Sequence, residues 1–290
     1  MKAINAINAI NAIEVKNLYK SYGDFKLENV SFNVEKGTIM GLIGENGAGK
    51  TTIIKAILSM IKYEGDIKVL GGEINEEIKQ DIGVVFDDAF LSNYLTIKEI
   101  GRVLSGIYRN WDEEYFNYIV EKFNLPQDKI LNKYSKGMKV KAKIACALAS
   151  RPKLLILDEP TSGLDPVIRD EILEIFYEFI EDEEHTILIS SHITSDLEKI
   201  ADYITFIDNG KILLSKEKDE LLENYGILKC SEDELKEVDS SFVERVKREK
   251  YSVEALINNK DSFKIKYPNA IVDRVSLDEI MVFYIKGVVL

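Results

Sequence analysis

The chain is poor in cysteine, in basic charge and in long apolar runs, and each shortage excludes something. Two cysteines in 290 residues, Cys146 and Cys230, are too few for a disulfide framework and suit a reducing cytosol. Thirty-eight basic residues against fifty acidic ones leave a net charge of −12, the wrong sign for a general nucleic-acid binder. There is no secretory signal, and no apolar run reaches the roughly 18–20 residues a membrane-spanning helix needs. Any membrane role is therefore expected to come through a partner. The apolar fraction of 46% and charged fraction of 30% are those of an ordinary globular protein, and the length allows one large α/β domain plus a smaller unit.

The richest stretch is Thr38 to Thr52, T-I-M-G-L-I-G-E-N-G-A-G-K-T-T. Its first half, with β-branched residues, predicts a buried parallel strand. Its second half fits G-x-x-x-x-G-K-[ST] through Gly44, Gly49, Lys50 and Thr51, and helix formers follow. Strand, glycine loop and helix arrive in the order a phosphate loop requires. Glycines let backbone N–H groups close around a phosphate, and the helix beginning near Gly49 adds its positive end. Lys50 is placed for the β- and γ-phosphates of a nucleotide, and Thr51 offers a hydroxyl to Mg²⁺.

Upstream, Ala-Ile-Asn repeats from Ala3 to Asn11 with a period of three, which suits neither helix nor strand; residues 1–12 are set aside as an extension of the kind cloning leaves behind. Strands are predicted over Ile13–Tyr19 and Lys26–Val34, with Tyr22 in the turn between them. There an exposed tyrosine is either simply exposed or stacks on a base. Downstream, Gly65–Leu70 and Ile82–Phe86 read as strands, the latter ending in Asp87-Asp88. Residues 89–150 read as a helical insert, with Thr96 and Glu99 forming a capping box and Asp112 opening a further helix. Ser135-Lys136-Gly137-Met138 precedes a long helix.

Leu154–Leu157 is a fully apolar run ending in Asp158-Glu159, two carboxylates at the C-terminal end of a strand, where open parallel sheets bind ligands. Asp165-Pro166 supplies an N-cap and an N1 proline. Thr186–Ser190 is the next buried strand, followed by Ser191-His192, and Ala201–Asp208 with Lys211–Leu214 form a hairpin around Asn209-Gly210. From 215 the texture turns to mixed charge, with strand-like runs at Tyr251–Ile257 and Phe263–Tyr267 and a helix over Leu277–Ile285. Taken singly, the acidic pair could be solvated and His192 an ordinary surface histidine. Behind a phosphate loop, one acid suits Mg²⁺, the second the attacking water, and His192 the γ-phosphate.

The order of these motifs resembles the nucleotide-binding subunit of an ATP-binding cassette (ABC) transporter over roughly residues 13–214. Gly44, Glu45, Asn46, Gly47, Ala48, Gly49, Lys50, Thr51 and Thr52 are similar to its Walker A loop, and Leu154–Glu159 to Walker B, with Glu159 at the catalytic glutamate. Ser162–Asp165 resembles the D-loop and His192 the switch histidine. Tyr22 stands where the family stacks its adenine, and Tyr134–Met138 where it carries the signature sequence. The resemblance implies an α/β P-loop NTPase core of RecA-like type with an N-terminal antiparallel β part, the helical insert, and a small α+β appendage at 215–290. It implies ATP and Mg²⁺ as cofactors, the metal held by Thr51, Asp158 and Asp87, with catalysis by Lys50, Glu159 and His192. It also implies a second copy, or a homologous ATPase subunit, whose Ser135, Gly137 and Asp165 complete the site. A separate transmembrane permease of exporter type would place the chain on the inner face of the cell membrane. Two departures stand out. Lys136 and Met138 replace the usual glycine and glutamine of the signature, and Asp87 stands where glutamine is usual. A soluble ABC-type ATPase acting on DNA or ribosomes is the competing reading, which a single P-loop, no sustained heptads and the acidic balance oppose. A P-loop kinase leaves the signature stretch unexplained.

Overall fold

The computed structural model describes residues 11–86, 91–248 and 252–289. Three of its strands, β3 (Ile39–Ile43), β6 (Leu154–Asp158) and β7 (Thr186–Ser191), are buried at every residue. Apolar runs of this kind belong to parallel strands covered on both faces. With β5 (Ile82–Val85), β8 (Tyr203–Asp208) and β9 (Lys211–Glu217) they form a six-stranded sheet in the order β5-β6-β7-β3-β8-β9, parallel except for β9. Alternate residues feed two cores. Ile39, Ile43, Leu155, Leu157, Ile187 and Ile189 join one; Met40, Leu42, Leu154, Ile156 and Leu188 join the other.

The second core is closed by α1 (Lys50–Ile57) and by an antiparallel sheet of β2 (Phe25–Glu35), β1 (Asn11–Tyr22) and β4 (Glu64–Val69). Here the N-terminal expectation is corrected. Asn11 and Ala12 belong to β1, and Ala12 is buried, so the end of the segment set aside is part of the fold. Tyr22 is likewise the last residue of β1 and not part of the turn, because its register pairs it with Phe25.

The first core is roofed by α2 (Ile97–Ser105), α3 (Glu113–Lys122), α4 (Lys136–Ala149) and α5 (Pro166–Ile180). Their starts are written in the sequence. Thr96 and Glu99 form the capping box, and Asp112, Ser135 and Asp165 each accept a backbone N–H from the first turn of their helix. No helix among the described residues is long and apolar enough to cross a membrane.

Beyond the short helices α6 (Thr194–Ile200) and α7 (Lys218–Asn224), the chain forms β10 (Gly226–Cys230), α8 (Glu232–Glu237), β11 (Val243–Arg248), β12 (Val253–Ile257), α9 (Lys260–Lys266) and β13 (Val272–Asp273). The strands are antiparallel in the order β11-β12-β10-β13. A βαββαβ chain with that order is the ferredoxin-like split βαβ unit. The strand expected at Phe263–Tyr267 is corrected to helix: Asn259 caps α9, and its single buried side chain, Phe263, needs no alternation. The boundary expected at 214/215 falls inside β9, which runs through Glu217. The unit also shares a core with the rest of the chain. Ile227, Leu256 and the Leu277, Ile280 and Phe283 face of α10 (Leu277–Lys286) pack into the same cluster as Leu197 and Ile200 of α6.

Candidate active site

Strand order explains the site. Because β7 lies between β3 and β6, the C-terminal ends of three neighbouring strands deliver Gly44, Asp158-Glu159 and His192 to the same end of the sheet.

The loop after β3 is shaped by steric need. A side chain at Gly44 would lie 2.4 Å from the Ile207 carbonyl, and Gly49 adopts a left-handed φ of +118° against Leu27 and Phe25. No side chain caps α1, and its first turn carries no acid, so its leading N–H groups point at an open cleft. That cleft is lined by Phe25, Asn46, Gly47, Gly49, Lys50, Thr51, Thr52 and Glu159. Glu45 and Ala48 shape the loop from behind, the Ala48 N–H donating to the Glu45 carbonyl at 3.1 Å.

Lys50 is only 5% exposed, and a buried ammonium must be compensated. It donates to the Gly44 and Glu45 carbonyls at 2.7 and 3.1 Å, and its Nζ lies 2.9 Å from Glu159 Oε1. The other carboxylate oxygen, Oε2, meets His192 Nδ1. Glu159 therefore bridges Lys50 and His192. Its backbone is left-handed, φ +53°, an uncommon state for glutamate, held by its N–H donating to the Ser190 carbonyl at 3.2 Å and to Ser190 Oγ at 3.1 Å.

Thr51 Oγ1 donates to Asp158 Oδ2 at 2.8 Å, and Ser190 Oγ donates to Asp158 Oδ1 at 2.7 Å. A hydroxyl and a carboxylate side by side fit a hard cation that keeps most of its ligands as water and phosphate oxygens. The described residues hold no cluster of three or more His, Cys, Asp or Glu that could cage a metal, and a cation of this kind needs none. Asp87, the third expected metal ligand, lies outside the described residues.

Other expected residues sit elsewhere. Tyr22 is 47% exposed with the Lys20 ammonium 4.7 Å over its ring, and Phe25, its partner across the hairpin, lines the cleft. Ser135 and Asp165 cap α4 and α5 and do not line this cleft. Gly137 is buried, and any side chain there would strike Ile168 of α5 at 2.5 Å. Sequence reasoning missed Ser190, whose pairing with Asp158 arises from strand order and left no local signal. It also missed Phe25, which had none beyond its distance from the turn.

Comparisons with known proteins bear on the family and the fold. The model of a family described as ABC transporter matches residues 27–162. The lantibiotic transport ATP-binding protein SrtF of Streptococcus pyogenes is 40% identical over 210 residues, covering 71% of this chain and 91% of its own. The ABC transporter ATP-binding protein YtrB of Bacillus subtilis is 33% identical over 217 residues, covering 73% and 74%. Among solved structures, the ATP-binding subunit of an ABC transporter superposes with a TM-score of 0.65 at 30% identity, covering 73% of this chain and 92% of that one.

Proposed function

The chain belongs to the ABC transporter ATP-binding proteins, and from that premise we propose that two copies, or one copy and a homologous subunit, close around two ATP molecules to drive a separate exporter permease. ATP binding and hydrolysis are the family's activity, and the alternative of a soluble ATPase acting on DNA or ribosomes finds no support among these relatives.

The observation that carries the reading is the bridge from Lys50 through Glu159 to His192, beside the Thr51–Asp158 pair. Arriving phosphates compete with Glu159 for the Lys50 ammonium. Once Lys50 turns to the phosphates, Glu159 is left beside His192, free to accept a proton from the attacking water. Thr51 and Asp158 would hold Mg²⁺, which supplies charge neutralisation on the β- and γ-phosphates. In this reading Ser135, Gly137 and Asp165 act across the dimer, which accounts for their absence from their own chain's cleft.

Two relatives named as lantibiotic and bacitracin transport proteins support the exporter assignment. Tyr94, Val103 and Ile107 of the helical insert are exposed apolar side chains, available to a membrane partner. The attachment would be peripheral, on the inner face of the membrane. Co-expression with a candidate six-helix permease tests the proposal: the two should co-purify, and ATP turnover should respond to the permease. A chain that turns over ATP but binds no such protein would defeat the exporter reading.

A further inference from the structure

Asp196 is a carboxylate with no role in the account so far. It sits in the first turn of α6 and is 2% exposed, so its charge must be met from within the protein. Arg169 of α5 meets it. The guanidinium Nε donates at 3.1 and 3.2 Å to the two carboxylate oxygens, and Nη2 reaches Oδ1 as well as Ser195 Oγ, the latter at 3.3 Å. Arg169 is itself one helical turn from the D-loop, its backbone N–H donating to the Asp165 carbonyl at 3.1 Å.

Helix α6 matters because it starts two residues after His192, yet its own start is weakly held. Its N-cap, Ile193, offers no side-chain cap, and only Ser191 Oγ takes the Ile193 N–H, at 2.8 Å. The other side-chain ion pair from α6 to α5, Lys199 to Asp170, is more than half exposed at both ends and holds little. A planar guanidinium gripping a buried carboxylate is different, because the fork fixes direction as well as distance.

We infer that Arg169 and Asp196 are a positioning pair for ATP hydrolysis: by locking α6 to α5 they hold His192 against Glu159. Neither residue touches the cleft; both act through the imidazole.

The test separates position from stability. Replacing both charges with apolar side chains, Arg169→Met with Asp196→Leu, removes the fork but leaves no buried charge unpaired, an exchange that folds commonly tolerate. The double variant should melt within about 4 °C of the wild type. It should bind ATP with unchanged affinity and hydrolyse it about tenfold more slowly. Arg169→Lys keeps the charge without the fork and should lose part of that rate. Added to Glu159→Gln, the double variant should cost almost nothing further, since both changes break one unit. A folded double variant with wild-type turnover, or a loss that multiplies with that of Glu159→Gln, overturns the inference. Should the double variant not fold, Arg169→Lys decides alone, and full activity in it overturns the pair. Wild-type hydrolysis, measured alongside, tests the ATPase reading separately.

Discussion

The Lys50 ammonium lies 2.9 Å from one oxygen of the Glu159 carboxylate, whose other oxygen meets the imidazole of His192. The cation that should hold phosphates and the acid that should activate water thus neutralise each other. In the proposed mechanism a triphosphate, with more charge than one carboxylate, would win Lys50 and leave Glu159 available. That exchange would link binding to chemistry.

Lys50→Ala removes the main positive charge of the cleft. A charged hydrogen bond contributes about 1.5–3 kcal/mol, so ATP affinity should drop at least about tenfold and phosphate release should cease. Equilibrium binding and a phosphate-release assay measure the two. Undiminished affinity and turnover would remove the phosphate loop from the account.

Ser135 should act on the partner's nucleotide. Neither Ser135→Arg nor Lys50→Ala should hydrolyse ATP alone, whereas a mixed dimer of the two retains one complete site and should recover activity. Full turnover by a strictly monomeric protein would contradict the shared site.

Asp112 begins α3, accepting the Tyr115 N–H at 2.8 Å, and is paired with Arg151. Those two partners hold its carboxyl below the usual carboxylate range, the backbone N–H contributing most. A lowered folded pKa means stability that is present above about pH 4 and lost as pH falls through the folded value. Asp112→Ala should therefore cost about 1 kcal/mol at pH 7, and the gap should shrink toward pH 3. Denaturant melts at the two pH values check this, and an equal gap at both would refute it.

The thiols should be sluggish. Burial pushes the Cys146 thiol far up, and burial followed by the Glu234 and Glu232 charges raises that of Cys230. A thiol reagent at pH 8 should slowly label at most the half-buried Cys230 in the folded protein, and both cysteines after denaturation. Rapid labelling of two thiols in the native state would contradict the packing of α4.

What could be read from the sequence follows from how strictly chemistry constrains it. A phosphate cradle needs Gly44, Gly49 and Lys50 at fixed spacing, and a strand buried on both faces needs an unbroken run such as Leu154–Leu157, so both stood out. Helix starts were legible where a cap is local, as at Thr96, Asp112 and Asp165. Ser190 was not, since its value depends on register with Asp158, a neighbour in space and not in sequence. Phe25 was missed for the same reason: its pairing with Tyr22 across the hairpin, which puts both on one face, is a fact of register. The ferredoxin-like unit was read only as α+β because its elements are short, and α9 buries a single side chain.

The central claim is that Glu159 serves the chemistry and not the binding. Glu159→Gln keeps the shape and one acceptor but removes the charge that activates water. Side-by-side measurement of ATP affinity, ATP-dependent dimerisation and hydrolysis in this variant is the most direct test. Affinity should be kept or improved, since Lys50 loses its internal competitor, and trapped ATP should hold two subunits together on a sizing column. Turnover should fall about 10²–10⁴-fold, the usual worth of a general base. Near-normal turnover would contradict the account.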